Sequence, residues 1–71
     1  VKIYTKEQNI IVELNNINNA EIEIYNALGQ RIINKKLNKN YNIIPIDYEG
    51  LIFVKLTNNN TISDVKLIIK Q

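Results

Sequence analysis

Carboxylates are the residues of this sequence whose type and spacing could support catalysis. Glu21 and Glu23 lie two residues apart in an alternating segment, which places them on one face of a strand about 7 Å apart. Two carboxyl groups at that separation could serve as the acid and base of an inverting glycosidase. Because Ile22 and Ile24 occupy the opposite face, a solvated strand surface is the simpler interpretation.

Other side chains that commonly support catalysis or bind ions are scarce. The 71 residues contain no histidine and no cysteine, which removes the usual neutral-pH base and the thiol nucleophile. Asp47, Glu49 and Asp64 could hold Ca²⁺ if they met at one rim, but they read more simply as loop carboxylates. We therefore predict no catalytic residues, no metal, no cofactor and no enzymatic activity.

Charge and length restrict the partners. The chain has nine Lys and Arg residues and seven Asp and Glu residues, which gives a net charge of +2. Only one of the basic residues is an arginine. This weak and unclustered positive charge argues against a nucleic-acid partner. No apolar run approaches the roughly 20 residues of a membrane span, so we predict no membrane insertion. Residues 1–71 suffice for one small domain, which we expect to be a monomer. Because Val1 begins within an apolar pattern, we expect a domain excised from a longer protein.

The segment from Ile22 to Arg31 organises these residues into a hairpin. The alternation stops at Asn26, whose side chain can bond backbone groups further along a turn. Gly29 lies where such a hairpin needs a left-handed residue, and Gly50 has the same expected role before a later strand. We predict that both are structural turn glycines with positive φ.

Short apolar runs recur at roughly ten-residue spacing, and no helical pattern competes with them. The predicted strands are Val1–Thr5, Asn9–Leu14, Ala20–Asn26, Gln30–Leu37, Tyr41–Ile46, Leu51–Thr57 and Ile62–Lys70. The first should lie at a sheet edge, and so should the fifth, because Pro45 cannot donate to a ladder. The sixth is apolar on both faces and should be central and mostly buried. This pattern predicts an all-β, seven-stranded, immunoglobulin-like antiparallel β-sandwich, with a small barrel as the alternative.

The alternation within these strands also predicts the core. We expect six side chains to be mostly buried between two sheets: Ile22, Ile24, Val54, Leu56, Val65 and Leu67. The terminal strand has a mixed face, because Ile68 lies between Lys66 and Lys70. On physical grounds alone, these lysines protect an aggregation-prone strand.

Three segments in order resemble a known family. They read Glu23-Ile24-Tyr25-Asn26-Ala27-Leu28-Gly29-Gln30, then Gly50-Leu51-Ile52-Phe53-Val54-Lys55-Leu56, then Lys66-Leu67-Ile68-Ile69-Lys70. Together they resemble the type A C-terminal sorting domain carried by type IX secretion cargo of Bacteroidota. The similarity covers nearly the whole chain, although Tyr4 is followed by Thr5-Lys6-Glu7 where many members have Pro-Asn-Pro.

The resemblance implies a non-enzymatic sorting signal that directs an attached cargo across the outer membrane. Its implied partners are the outer-membrane translocon and a sortase-like protease, and the implied route runs through the periplasm to the cell surface or the extracellular space. The implied signal is the terminal strand, which comprises Lys66, Leu67, Ile68, Ile69, Lys70 and Gln71.

A second hypothesis is a small accessory module of a secreted enzyme that binds carbohydrate or protein. The sequence has no tryptophan, and its rings are those of four tyrosines and one phenylalanine. We expect at least two of these rings in the core, which would leave few for sugar binding.

Overall fold

A computed structural model describes residues 1–15, 19–58 and 61–70 of the chain. For Thr61 and residues 63–70 it describes the backbone only, so predictions about those side chains, and about Gln71, lie outside the described part. The strands are β1 (Lys2–Lys6), β2 (Asn9–Glu13), β3 (Ala20–Asn26), β4 (Arg31–Leu37), β5 (Tyr41–Pro45), β6 (Gly50–Asn58) and β7 (Thr61–Lys70).

The strands form two antiparallel sheets. One has the order β1-β2-β5 and the other the order β4-β3-β6-β7. The all-β class is confirmed, and the described strands form two separate sheets rather than the small barrel. Strands β1 and β5 are both edges, as predicted, and β5 ends at Pro45.

One apolar cluster joins the inner faces of the two sheets. The three-stranded sheet contributes Ile10 and Val12, and the four-stranded sheet contributes Ile22 and Ile24, all within the same cluster. Burying an aliphatic side chain of this kind stabilises the fold by about 1.5–3 kcal/mol. The predicted burial of Ile22, Ile24, Val54 and Leu56 is confirmed. The predicted burial of Val65 and Leu67 lies outside the described side chains.

Strand β6 is central, as predicted, but it is less buried than the prediction that most of its surface is covered. Ile52, Val54 and Leu56 point into the core and are fully buried, whereas Phe53 on the opposite face is 40% exposed. The outer face of this sheet is therefore solvent-facing, as is common for antiparallel sheets. The alternation could not be recognised in the sequence, because residues 51–54 are all apolar.

Asn26 holds the β3–β4 turn together. Its backbone carbonyl accepts from Gly29 N at 3.0 Å, and its side-chain Oδ1 accepts from Leu28 N and Gln30 N, each at 3.0 Å. Its Nδ2 donates to Oε1 of Gln30 at 2.8 Å. These bonds confirm the prediction that the Asn26 side chain binds backbone further along the turn.

Both glycines have the predicted positive φ, at 84° for Gly29 and 117° for Gly50. A Cβ atom on Gly29 would meet nothing within 4 Å, and one on Gly50 would meet only Cε2 of Tyr48 at 3.7 Å. The requirement for glycine is therefore conformational rather than steric. The β1–β2 turn instead uses Glu7 at φ 58°, a conformation that costs a non-glycine residue about 1–2 kcal/mol.

Candidate interaction surfaces

The terminal strand β7 forms one edge of the four-stranded sheet. It pairs with β6 from Gly50↔Lys70 to Asn58↔Thr61, and no described strand pairs along its other side. A strand in this position offers a row of unpaired backbone groups to a partner. Near the beginning of β7, the side chain of Ile62 is 58% exposed.

The ladder between β6 and β7 shifts its register once. Thr57 lies opposite Ile62 and Leu56 lies opposite Asp64, so Ser63 is the extra residue of a bulge. Beyond the bulge, Lys66 takes the register position opposite Val54, and Leu67 takes the position opposite Phe53. A one-residue shift exchanges the two faces of a strand. The bulge therefore decides which set of β7 residues shares a ladder position with the core residues of β6.

A cluster of charges lies on the outer face of the four-stranded sheet. The carboxylate of Glu23 accepts from the Tyr25 hydroxyl at 2.9 Å and forms ion pairs with Arg31 at 3.1 Å and Lys55 at 3.4 Å. The bond from Tyr25 and the two cations hold the pKa of Glu23 below its ordinary value. The same contact raises the pKa of Tyr25, since ionising the hydroxyl would remove a donor from Glu23.

These contacts disfavour an acid–base function for the predicted carboxylate pair. A general acid must stay protonated near neutral pH, whereas the partners of Glu23 favour its charged form. Glu21, two residues before Glu23, lies on the same face of the sheet and opposite Lys36 of β4. The arrangement matches a solvated strand face more closely than a glycosidase site.

The carboxylates considered for Ca²⁺ do not share a rim. Asp47 and Glu49 lie on the connection before Gly50, which pairs with Lys70 at one end of the β6–β7 ladder. Asp64 pairs with Leu56, six residues further along β6, a distance of about 20 Å along the strand. Among the described residues no group of three possible ligands forms a metal site.

The outer face of the three-stranded sheet carries two tyrosines around a carboxylate. The Tyr4 hydroxyl donates to Oε2 of Glu13, and Tyr41 lies opposite Glu13 in the β2–β5 ladder. The hydrogen bond to Glu13 is the largest cause that raises the pKa of Tyr4 to about 12. Ile11, the ladder partner of both Tyr4 and Ile43, is buried on this face, away from the main core cluster.

The expectation that at least two aromatic rings lie in the core is wrong. Tyr4, Tyr25 and Tyr48 are partly exposed, and Tyr41 and Phe53 are exposed. Aliphatic β-branched residues fill the core instead, because isoleucine dominates the inward positions of the strands. The alternation of Tyr41, Ile43 and Pro45 in β5 was the available sign that these residues point outward together.

Three lysines lie close together in and just after β4, before the chain enters β5. An open groove of about 420 Å³ is lined by Lys35, Lys36, Asn38, Lys39, Tyr41, Asn42 and Ile43. Among the described residues that line it, none is acidic. Asn42 lines the groove and is buried, and its Nδ2 donates to the carbonyl oxygens of Val12 at 3.3 Å and Lys39 at 2.9 Å. Within the part of the chain that the structure describes, none of the elements is a helix that could cross a membrane.

Comparison with known proteins identifies the family. A family model described as the secretion system C-terminal sorting domain matches residues 5–70. Searches of curated proteins and of solved structures each gave no significant match. The match spans nearly the whole chain, so the chain belongs to the family of secretion system C-terminal sorting domains. It is a sorting signal for type IX secretion, it marks a protein for export across the outer membrane, and it interacts with the type IX machinery.

Proposed function

We propose that the type IX outer-membrane translocon recognises strand β7 by binding it directly. A sortase-like protease, which acts on the exported protein, is the second proposed partner. The position of β7 at a sheet edge carries this proposal, because its second side pairs with no described strand. A partner could add a strand there and gain main-chain hydrogen bonds without opening the core. The proposed signal remains residues 66–71, from Lys66 to Gln71.

The fold supports a signal that lies on an accessible edge strand rather than inside the sandwich. The orders β1-β2-β5 and β4-β3-β6-β7 match strands A, B and E and strands C′, C, F and G of immunoglobulin domains. We therefore propose a seven-stranded immunoglobulin-like sandwich in which β7 is strand G. The domain itself has no enzymatic role in this proposal, and it passes through the periplasm before reaching the cell surface or the medium.

A reporter fusion tests the role of β7. The 71 residues are placed at the C-terminus of a neutral reporter with an ordinary export signal, in a host that has the type IX system. We expect Lys66→Gln with Lys70→Gln to reduce the amount of reporter outside the cell, while the free energy of unfolding of the purified domain changes by less than about 0.5 kcal/mol. The control pair, Lys2→Gln with Lys6→Gln, removes the same net charge from β1.

A deletion gives the second arm of the test. Removing residues 68–71 should abolish export, and the melting curve of the purified domain shows whether the fold survives. Full export of the shortened fusion would overturn direct reading of β7. Equal losses of export in the two lysine pairs would also overturn it, because net charge would then explain the effect.

A further inference from the structure

We propose that the lysine groove between β4 and β5 is a docking surface for an anionic phospholipid membrane. The lysine groove comprises Lys35, Lys36 and Lys39 with the exposed side chains of Tyr41 and Ile43. It lies away from β7, since β4 is the opposite edge of the four-stranded sheet. This function is additional to the reading of β7 by the secretion machinery.

The charge of the groove favours an anionic surface. Three of the nine basic residues of the chain fall within five positions, from Lys35 to Lys39. None of these three lysines takes part in an ion pair among the described residues, whereas Arg31 and Lys55 both pair with Glu23. Lysines of this kind bind phosphate as point charges.

The three lysines should not contribute equally. Lys36 lies opposite Glu21 in the β3–β4 ladder, and this neighbouring carboxylate offsets part of its charge. Lys35 lies opposite Ile22, and Lys39 lies in the connection after β4. Lys35 and Lys39 should therefore supply most of the attraction.

The apolar wall distinguishes a membrane from a soluble anion. Tyr41 is 48% exposed and Ile43 is 51% exposed, and both border the groove that the lysines line. A tyrosine and an aliphatic side chain beside lysines suit the boundary between headgroups and acyl chains, where rings and amines both find partners. A free phosphate would make no use of these two side chains.

An inward charge on an edge strand has a simpler role, which is to block pairing with another sheet. That role accounts for Lys35, because its ladder partner Ile22 is buried in the core. It does not account for Lys39, which follows the strand, or for exposed Tyr41 and Ile43 on the facing edge.

Vesicle binding of the 71-residue chain tests the proposal. The protein should co-sediment with vesicles of phosphatidylglycerol and phosphatidylethanolamine, should not co-sediment with phosphatidylcholine vesicles, and should be released by high salt. Each lysine near such a surface changes the partition coefficient about five-fold, so Lys35→Gln with Lys39→Gln should lower it about 30-fold. Lys36→Gln alone should have a smaller effect than either of the other single changes.

Matched variants separate the groove from general charge. Lys2→Gln with Lys6→Gln lowers the net charge equally but acts on β1, two strand spacings (about 10 Å) from β5, so binding should fall less than about three-fold. Ile43→Ser should weaken binding several-fold, whereas Leu28→Ser, another exposed aliphatic residue, should not. Circular dichroism of each variant is the check that it is folded.

Three results would overturn the proposal. The first is equal loss of binding in the two lysine pairs. The second is full displacement from vesicles by millimolar inorganic phosphate at constant ionic strength, which would make a free phosphate the ligand. The third is binding to polyglutamate but not to the anionic vesicles, which would indicate an acidic protein partner. Export of the reporter fusion is measured separately, so failure here leaves the reading of β7 unaffected.

Discussion

Replacing Asn26 with alanine should destabilise the domain even though no core side chain is removed. The substitution deletes the oxygen that accepts from Leu28 N and Gln30 N, and the amide that donates to Gln30. The side chain of Asn26 is 7% exposed, so water cannot fully replace it. The two backbone donors would lose their partner at the point where β3 turns into β4.

The magnitude follows from the number of bonds. Each net hydrogen bond contributes about 0.5–1.5 kcal/mol, so losing the two that Oδ1 accepts should cost about 2 kcal/mol. A domain of this size has about 3–5 kcal/mol of stability in total. In a domain of 60–100 residues, that loss lowers the melting temperature by about 8–16 °C.

Thermal and urea denaturation followed by circular dichroism would measure the effect. Asn26→Asp keeps the accepting oxygen and should lose less than half as much stability as Asn26→Ala. Asn34→Ala is the matched control, because Asn34 is exposed on β4 of the same hairpin and should change stability by less than about 0.5 kcal/mol. If Asn26→Ala melted at the same temperature as Asn34→Ala, the role given to the Asn26 side chain would be refuted.

Three further perturbations test the core, the glycines and the tyrosine–carboxylate contact. Ile24→Ala should cost about 2–5 kcal/mol and leave the domain largely unfolded in a thermal scan, because Ile24 is fully buried; a melt near that of wild type would contradict this. Gly50→Asn should lower the urea midpoint more than Gly29→Asn, since asparagine reaches φ near 84° more readily than 117°; the reverse order would refute the conformational argument. Absorbance at 295 nm should show a pKa of about 12 for Tyr4, and Glu13→Gln should lower that pKa. The contact between Tyr4 and Glu13 contributes stability that is fully present below the unfolded pKa of about 10, and this contribution should disappear as the pH rises towards 12.

The β3–β4 hairpin shows how much local pattern can establish. Alternation of Glu21, Ile22, Glu23 and Ile24 determines a strand and its two faces, since side chains in a strand alternate by geometry. Asn26 carries its own turn signal, because its side chain competes for nearby backbone donors. These features depend on neighbours within a few residues, and the structure confirms them.

Burial on a two-faced strand depends on partners that are distant in sequence. Nothing local to Phe53 shows that its face of β6 is open, because that depends on whether another layer covers the sheet. Likewise, the bulge at Ser63 sets the register of β7 against β6, and a single residue of shift exchanges the faces. The sequence predicts the strand but not the register.

The two candidate surfaces differ in the same way, since one could be recognised from the sequence and the other depends on the packing of the two sheets. The order of the three family segments, and hence the sorting function, could be recognised in the chain itself, as the match over residues 5–70 shows. The lysine groove could not, because Lys35 and Ile43 belong to different sheets and come together only when β4 and β5 lie at neighbouring edges. Local hydrogen bonding and alternation are encoded in short segments, whereas grooves between sheets arise from long-range packing of those segments.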